Sequence, residues 1–456
     1  MYKIIIKNFE KKYLLEELIK IFLRPSEYEI VSENDNYNLN DVIIFNEENY
    51  NDKNLIKEQI YNTLSELTGE KPEWGILTGI RPVKLCGEIY EENNRSRHHT
   101  IKRLLEYYYL SPDKANMIMD MYLRQQAVIG SPEENSAGVY IGIPFCPTRC
   151  VYCSFASNQV NNQEIEKYLI SLHKEIEFVG KRTRELGIKI ESIYIGGGTP
   201  TTLTHSQLES LLGHIRKSFD LNSLKEFSLE AGRPDTITYE KLRVIKENGV
   251  DRISINPQSM KDETLKLIGR SHNSLDIINA FELAKEFDFN TINADIIAGL
   301  PGENLDDFND TLKKVIQLNP DNITVHCLAV KRASKLVDLD KDYHYKQSKI
   351  ASEMLASSRD ILNENGYLPY YLYRQKHMAG AFENTGYSKN GTDCIYNVRI
   401  MEEHQTIIAL GAGAITKAYY PSEDRLERVP NVTNYEHYIS RIDEMLDRKE
   451  QNLFRR

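Results

Sequence analysis

The sequence predicts an α/β fold: a partial (β/α)6 barrel with an N-terminal α/β domain and a C-terminal α+β extension. Between residues 139 and 330, six short apolar segments alternate with helical segments, which is typical of a parallel sheet covered by helices. Six such units are too few to close an eight-fold barrel, so a partial barrel is expected. The 456 residues also exceed one ordinary domain, and two or three domains are therefore predicted.

The N-terminal domain is predicted to span residues 1–135 and to be linked to the barrel by the Gly-, Ser- and Pro-containing segment 130–138. Of the two helices predicted within 100–128, the second is expected to begin at Pro112, directly after Ser111, because proline is tolerated in the first turn of a helix. The expected elements are strands at 3–6 and 41–45, a helix at about 52–68, a loop at 73–82 and two helices within 100–128.

The barrel domain is predicted to span residues 139–335. Its expected strands lie at 139–143, 192–195, 226–229, 252–255, 293–297 and 322–327. Its expected helices lie near 163–187, 205–219, 236–248, 262–287 and 304–318. Residues 336–456 are predicted to form a C-terminal region that covers the barrel mouth, with helices at about 343–363 and 432–448.

The bulk composition restricts the class of protein. A formal net charge of −10 argues against a protein whose main task is to bind nucleic acid, and the basic stretch 95–103 is interpreted as a solvated helix face. No segment approaches the ~20 apolar residues of a membrane span. Six cysteines without a secretory leader favour a reducing, cytoplasmic location, and an oxygen-sensitive site would favour an anaerobic setting.

Three cysteines follow the first predicted barrel strand at a C-x3-C-x2-C spacing: Cys146, Cys150 and Cys153. A cube-shaped 4Fe–4S cluster normally takes four cysteine ligands, so three on one loop leave one iron open to another molecule. A structural zinc site is the main alternative, but zinc sites normally show a second Cys or His pair downstream, and His173 lies inside a predicted helix. The loop is expected at the carboxyl end of a parallel strand, where such barrels carry their reactive groups.

Polar residues and glycines also follow other predicted strands. The turn 196–199 has the sequence Gly-Gly-Gly-Thr, and glycine lets a ligand approach the backbone closely. Glu230, Gln258 and Asp295 end or interrupt later strands, and Arg270 follows the fourth strand. Taken singly, each is also compatible with a helix cap or an exposed side chain. A buried carboxylate needs a partner, however, so the set together indicates a ligand site.

The cysteine spacing resembles that of the radical S-adenosylmethionine enzymes. The glycine turn with the four polar residues resembles the cofactor site of the oxygen-independent coproporphyrinogen dehydrogenase superfamily, and segments 73–82, 371–376 and 402–407 resemble its HemZ branch. This resemblance implies a 4Fe–4S cluster with an open iron, and S-adenosylmethionine bound to that iron. The implied cofactor-binding residues are Tyr140, Tyr152, Gly196, Gly197, Gly198, Thr199, Glu230, Gln258, Arg270 and Asp295.

The resemblance also implies a role for several of these residues. The glycine turn would hold the methionyl part of S-adenosylmethionine, and Glu230 and Asp295 would hold its ribose or amino end, with Gln258 and Arg270 beside them. Tyr152 would lie beside the adenine, although it is also compatible with a packed core tyrosine. No catalytic side chain is implied beyond the cluster-bound cofactor.

The implied reaction is the oxidative decarboxylation of a coproporphyrinogen III propionate to a vinyl group, started by a 5′-deoxyadenosyl radical. A one-electron donor such as flavodoxin or ferredoxin would supply the electron. An anionic tetrapyrrole needs cations beside a flat apolar surface, so Lys331, Arg332, Arg374 and Lys376 are candidate substrate contacts. The alternation around Arg374 equally fits a half-buried strand with its charges in water.

Two departures from the coproporphyrinogen enzymes leave other functions open. Those enzymes have a fourth cysteine two residues after the third, whereas Ser154-Phe155 follow Cys153 here, and they have a short N-terminal segment instead of about 135 residues. One alternative is a haem chaperone of the same superfamily, which keeps the cluster and transfers haem. Another is a radical enzyme that modifies a nucleic acid or a different small molecule.

Overall fold

The computed structural model describes residues 1–7, 9, 12–32, 42–46, 53–153, 157–328, 343–374 and 382–455. The chain begins with a three-stranded parallel sheet in the order β2-β1-β3 and two helices that share its core. These elements are β1 (Tyr2–Lys7), α1 (Lys12–Phe22), β2 (Tyr28–Ile30), β3 (Val42–Asn46) and α2 (Lys53–Thr68). The sequence predicts β1, β3 and α2, whereas the three-residue β2 is too short to show a period of two.

Three helices follow: α3 (Pro82–Glu92), α4 (Arg97–Glu106) and α5 (Pro112–Val128). Helix α5 begins at Pro112 as predicted, and the Ser111 hydroxyl accepts a hydrogen bond from the Lys114 amide. Helix α3 was not predicted. The three helices form an apolar core with Trp74 and with Leu372 from the C-terminal region, so residues 74–128 are joined to that region by packing.

The main sheet has eleven strands in the order β10-β11-β9-β8-β7-β6-β5-β4-β12-β13-β14. Its central six are parallel and follow one another in chain order, which confirms the predicted barrel. They are β4 (Ser136–Ile143), β5 (Lys189–Gly197), β6 (Glu226–Glu230), β7 (Arg252–Gln258), β8 (Thr291–Ala298) and β9 (Asn322–Cys327). The helices between them are α6 (Asn162–Glu185), α7 (His205–Ser218), α8 (Tyr239–Glu247), α9 (Asp262–Leu267), α10 (Ser274–Lys285) and α11 (Leu305–Gln317).

Two boundaries differ from the prediction. Strand β4 begins at Ser136, which pairs with Lys189 of β5, so the last part of the predicted linker is strand. The single helix predicted over 262–287 is two helices, because the chain turns at Gly269 with a φ of +78° that interrupts a helix.

Side chains of the central strands alternate between the helix layer and the barrel lumen. On β5, Ile193 and Ile195 belong to the apolar core, whereas Tyr194 stacks on Tyr396 with ring centroids 4.5 Å apart. The lumen is therefore lined by the aromatic and polar alternate residues, whereas the aliphatic ones hold the helices on the sheet.

The C-terminal region extends the sheet at both edges. Strands β10 and β11 join the β9 edge, with β11 antiparallel to β9, whereas β12 lies parallel to β4 and is followed by β13 and β14. The elements are α12 (Tyr343–Glu364), β10 (Leu368–Arg374), β11 (Glu383–Ser388), α13 (Ile395–Glu402), β12 (Thr406–Leu410), β13 (Ile415–Tyr420), β14 (Arg425–Pro430), α14 (Tyr435–Ser440) and α15 (Ile442–Lys449). The predicted closing helix is thus two short helices.

The described part of this region contacts the amino ends of the barrel strands. Glu226, at the start of β6, accepts hydrogen bonds from the Ile395 and Tyr396 amides at the start of α13. Residues 329–342 and 375–381, which follow the carboxyl ends of β9 and β10, lie outside the described residues, and the predicted cover over the mouth stays a prediction. No helix in the described ranges is long and apolar enough to cross a membrane.

Candidate functional site

The cysteine loop follows the carboxyl end of β4, as predicted, and backbone hydrogen bonds fix it from three sides. The Cys146 amide donates to the Asn158 carbonyl (3.1 Å), and the Phe145 carbonyl accepts from the Thr199 amide (2.8 Å). The Val151 amide donates to the Ile268 carbonyl (3.1 Å). The loop is thus tied to the turns after β5 and α9, so its geometry is set by the barrel.

The three thiols differ in burial: Cys150 is buried, and Cys146 and Cys153 are half-buried. Burial raises the pKa of the Cys146 thiol, and the Thr199 hydroxyl lies 3.4 Å from its sulfur and acts in the opposite direction. Within the described residues no three His, Cys, Asp or Glu side chains converge on the position of one metal ion. A cube-shaped cluster binds each thiolate at a different iron, so thiols spread along one loop are the donor set that it takes.

Arg233 supports this loop and was missed by the sequence analysis. Its side chain is 3% exposed, and one terminal nitrogen donates to the Thr148 hydroxyl (2.7 Å) and lies 3.9 Å from the Cys150 sulfur. The other terminal nitrogen donates to Asp235 (3.0 Å). Burial acts to raise the pKa of Asp235, but hydrogen bonds from His272 and Arg233 hold it well below its usual range. A buried cation beside a loop of thiolates is stabilising, and the signal for it was its place three residues after Glu230.

The glycine turn after β5 is required by the protein that surrounds it. A Cβ on Gly198 would lie 2.5 Å from the Phe145 carbonyl oxygen and 3.0 Å from the Cys146 sulfur. Gly197 has a φ of +116°, and a Cβ there would lie 2.9 Å from the Ile143 carbonyl oxygen. A Cβ on Gly196 would meet the Glu230 carboxyl group at 3.0 Å. The absence of side chains lets this turn approach both the cysteine loop and the lumen.

Tyr152 and Arg270 contact each other at the edge of the loop. An Arg270 terminal nitrogen donates to the Tyr152 hydroxyl (3.0 Å), and the other donates to the Gly232 and Asn256 carbonyls (3.1 and 3.2 Å). The Arg270 Nε is buried and has no hydrogen-bond partner among the described residues. Arg270 thus joins the ends of β6 and β7 to the cysteine loop and keeps one unused donor.

Gln258 shows the clearest signs of a ligand site. It ends β7 with a φ of +67°, a left-handed conformation that is uncommon for a residue with a side chain. Its side chain is 7% exposed, and its Oε1 is buried without a hydrogen-bond partner in the part of the chain that the structure describes. Since buried polar atoms are nearly always paired, this acceptor and the unused Arg270 donor fit a bound cofactor beside the cysteine loop.

Glu230 ends β6 and points into the lumen. Its carboxylate accepts a hydrogen bond from the Tyr194 hydroxyl (2.6 Å). Burial raises the pKa of Glu230 to about 7, and the nearby charge of Asp295 adds to this effect. Tyr140, also a predicted cofactor residue, stacks on Tyr194 with ring centroids 6.3 Å apart, so it lies on the same side of the lumen.

Asp295 belongs to a polar network that the sequence did not reveal. Its carboxylate accepts a hydrogen bond from the Asn293 amide (2.8 Å) and lies 3.5 Å from His326 Nε2. The Tyr373 hydroxyl lies 3.4 Å from His326 Nδ1. Burial acts to raise the pKa of Asp295, but the hydrogen bond and charge of His326 keep it below its usual range; Asp295 correspondingly raises the pKa of His326. The ionised form of Asp295 and the protonated form of His326 therefore stabilise each other, in the carboxyl halves of β8 and β9.

Arg374 does not lie where a substrate contact was predicted. Its side chain is 3% exposed, its guanidinium donates to the Leu77 carbonyl, and its Cζ lies 4.9 Å from the centre of the Trp74 ring. Burial lowers the pKa of Arg374 to about 10. The segment 73–82 and strand β10, which ends at Arg374, therefore pack against each other. This packing explains the motifs at 73–82 and 371–376. Lys331, Arg332 and Lys376 lie outside the described residues.

The remaining predicted residues lie together. The carboxyl ends of the parallel strands, or the loops that follow them, carry Cys146, Cys150, Cys153, Tyr152, Gly196, Gly197, Gly198, Thr199, Glu230, Gln258 and Arg270, and Asp295 lies in the carboxyl half of β8. Their assignment to the cluster and to S-adenosylmethionine is a prediction that this arrangement supports.

Comparison with known proteins agrees with this geometry. Residues 140–315 match the Radical SAM superfamily. The oxygen-independent coproporphyrinogen-III oxidase-like protein HemZ of Bacillus subtilis (strain 168) is 39% identical over 404 residues, which cover 87% of this chain and 80% of that protein. Heme chaperone HemW of the same organism is 31% identical over 308 residues, which cover 67% of this chain and 76% of HemW.

A solved structure shows the same fold. The coproporphyrinogen III oxidase HemN from Escherichia coli, described as a radical SAM enzyme, aligns with a TM-score of 0.54 and 23% identity, covering 71% of this chain and 72% of HemN. Proteins of this superfamily use a 4Fe–4S cluster and S-adenosylmethionine. With the cysteine loop, the unpaired Gln258 acceptor and the extent of the HemZ match together, the chain belongs to the radical SAM superfamily and, within it, to the HemN/HemZ-like family.

Proposed function

We propose that this protein is a radical S-adenosylmethionine enzyme that oxidatively decarboxylates a propionate side chain of coproporphyrinogen III to a vinyl group. The match to HemZ over 87% of the chain carries this proposal, because it includes the barrel and both flanking regions. For each propionate, one hydrogen atom, one electron and one CO2 leave the substrate. The electron must pass to an acceptor, and a separate one-electron donor, such as a flavodoxin or ferredoxin, must reduce the cluster.

The cluster and S-adenosylmethionine, when bound, supply the one-electron chemistry that removes hydrogen from an unactivated carbon. Cys146, Cys150 and Cys153 would hold the cluster. Gln258 Oε1 would accept a hydrogen bond from S-adenosylmethionine, and Glu230 and Asp295 would bind its ribose hydroxyls or its ammonium group. Arg270 and Arg233 hold the loop and the strand ends together, and the stacked tyrosines exclude water from the lumen.

The glutamate and aspartate offer different charges at neutral pH. The pKa of Glu230 is about 7, because burial disfavours its charge, whereas His326 keeps Asp295 ionised. A bound ammonium group would favour the charged form of Glu230 and would lower its pKa. Binding of S-adenosylmethionine is therefore expected to release protons from the protein near pH 7.

A second candidate function is that of a haem chaperone, favoured by the 31% identity to HemW over 67% of this chain. Such a protein would keep the cluster and bind haem without converting coproporphyrinogen. The two functions differ in their products. A chaperone releases haem intact, whereas the enzyme consumes S-adenosylmethionine and releases CO2.

Anaerobic incubation of the reconstituted protein with S-adenosylmethionine, a reductant and coproporphyrinogen III tests the proposal. Mass spectrometry is expected to detect the vinyl product and 5′-deoxyadenosine in step with each other. The matched control is the Cys150→Ala variant, which is expected to form neither product. If 5′-deoxyadenosine forms without a vinyl product, and if the protein binds haem and passes it to an acceptor, the chaperone function replaces the enzymatic one.

A further inference from the structure

A groove of about 980 Å³ lies between the N-terminal sheet domain and the rim of the barrel. One wall comes from the end of α1 and the turn that follows it, and a second wall from residues 67–74. The third wall is formed by Lys349 and Ser352 of α12 and by Phe382, which precedes β11. This volume is at the upper end of the range for small-molecule sites, so the groove accommodates a large flat ligand.

The groove lies beside the carboxyl end of β9, the last of the six parallel strands. Strand β11 runs antiparallel to β9, and the Cys327 amide at the end of β9 donates to the Asn384 side chain. Phe382 is therefore level with the carboxyl end of β9, the end at which the cysteine loop lies. Trp74 fixes the N-terminal wall to this rim, because its Nε1 donates to a Glu383 carboxylate oxygen (2.8 Å).

Apolar and aromatic side chains from all three walls form the part of the lining that we call the floor. Phe22 and Phe382 are half-buried, and the buried Trp74 also lines it. Leu67 is 43% exposed, which makes it one of the more exposed large apolar side chains in the described residues. Apolar side chains in a concave surface favour a ligand with a flat apolar body.

Cations without acidic partners surround this floor. Arg24, Lys71 and Lys349 line the groove with exposed side chains, and within the described ranges none of the three pairs with a carboxylate. Lys20, the fourth cation, is already paired with Glu16 at 3.0 Å.

One of the three groove glutamates is likewise paired with a cation, since Glu73 lies 3.3 Å from Lys114. A Glu27 carboxylate oxygen accepts a hydrogen bond from the Arg24 amide (2.7 Å), which leaves the charge of Glu27 in place. Arg24, Lys71 and Lys349 still outnumber Glu27 and Glu70, so the unpaired charge of the groove is positive in a chain of formal net charge −10. That contrast selects an anionic ligand.

We propose that this groove docks a metal-free tetrapyrrole through its carboxylate side chains before the substrate enters the lumen. The inference rests on the proposed function and gives the N-terminal domain a part in it. A flat macrocycle would cover the apolar floor, and its peripheral carboxylates would meet Arg24, Lys71 and Lys349. Among the described residues that line the groove there is no His or Cys, the usual strong ligands of haem iron, and this lining favours a porphyrinogen over haem.

Binding of coproporphyrin III, the stable oxidised counterpart of coproporphyrinogen III, provides the test. Trp74 is the only tryptophan of the chain, so quenching of its fluorescence reports binding to the whole protein. The triple variant Arg24→Glu, Lys71→Glu, Lys349→Glu is expected to bind coproporphyrin III at least tenfold more weakly than wild type at about 0.1 M salt, because three attractions become repulsions. With coproporphyrinogen III, its KM is expected to rise by a similar factor while kcat stays unchanged.

The matched control changes three exposed lysines that lie on helices outside the groove: Lys217→Glu, Lys285→Glu, Lys313→Glu. It alters the net charge by the same amount and is expected to bind coproporphyrin III within about twofold of wild type, since screening weakens distant surface charges. Equal binding by the groove and control variants overturns the proposal, as does loss of haem binding without loss of coproporphyrin binding. Groove-dependent binding without turnover contradicts the proposed function alone, and turnover with an unchanged KM contradicts the groove alone.

Discussion

Substitution of Gly198 by alanine tests whether the glycine turn sets the geometry of the cysteine loop. The added Cβ would lie 2.5 Å from the Phe145 carbonyl oxygen and 3.0 Å from the Cys146 sulfur, whereas ordinary contacts begin near 3.4 Å. The carbonyl must therefore move by about 0.5–1 Å, and overpacking of this kind costs about 1–3 kcal/mol of folding free energy. Because the sulfur moves with the loop, and metal–ligand distances tolerate only about 0.2 Å, we expect a larger effect on the cluster than on the fold.

The assay combines iron and sulfide analysis after anaerobic reconstitution with thermal unfolding. We expect the Gly198→Ala variant to remain folded, to hold well under half of the wild-type iron and to cleave S-adenosylmethionine at least tenfold more slowly. Gly213→Ala is the control, because among the described residues its added Cβ would meet no atom within 4 Å beyond its chain neighbours and the backbone of its own helix, and alanine favours a helix. Wild-type iron content and cleavage rate in Gly198→Ala would refute the claim that the turn positions the loop.

Three further predictions concern stability and the cluster. Lys449→Met is expected to lower the free energy of unfolding by about 3–5 kcal/mol in denaturant titrations. The reason is that Glu175, fully buried and 2.7 Å from Lys449 in the wild type, loses its cation. The double variant Lys449→Met, Glu175→Gln should recover part of the loss. Burial lowers the pKa of His173 to about 4, so between pH 6.5 and 4 the unfolded chain binds a proton that the folded chain does not. The free energy of unfolding should therefore fall by roughly 1 kcal/mol, allowing for solvent screening, as the pH drops from 6.5 to 4. An unchanged dependence of the free energy of unfolding on pH in His173→Asn would count against this. Cys327→Ala should keep the cluster and Cys150→Ala should lose it, and iron loss in both would indicate a different ligand set.

The sequence determined the central barrel because its signals are local. Each strand from β4 to β9 is a short apolar run between helical segments, and parallel order follows from the connections. The cysteine spacing and the residues after successive strands were also readable, since the carboxyl ends of parallel strands meet at one edge. Gln258, at the end of β7, proved the most informative, and no sequence pattern shows that its buried Oε1 lacks a hydrogen-bond partner among the described residues.

The tertiary structure alone decided what depends on distant partners. Strand β12 pairs with β4 although more than 250 residues separate them, and no local period encodes such a pairing. Arg374 has the sequence context of an exposed strand cation, but Trp74 covers it, because the N-terminal segment packs there. Two further roles depend on distant partners. Folding brings His326 Nε2 to 3.5 Å from the Asp295 carboxylate, and it brings Arg233 within hydrogen-bond range of Thr148 in the cysteine loop. Periodicity fixes which face of a strand is buried, whereas the identity of the neighbour on that face is set only when the whole chain packs.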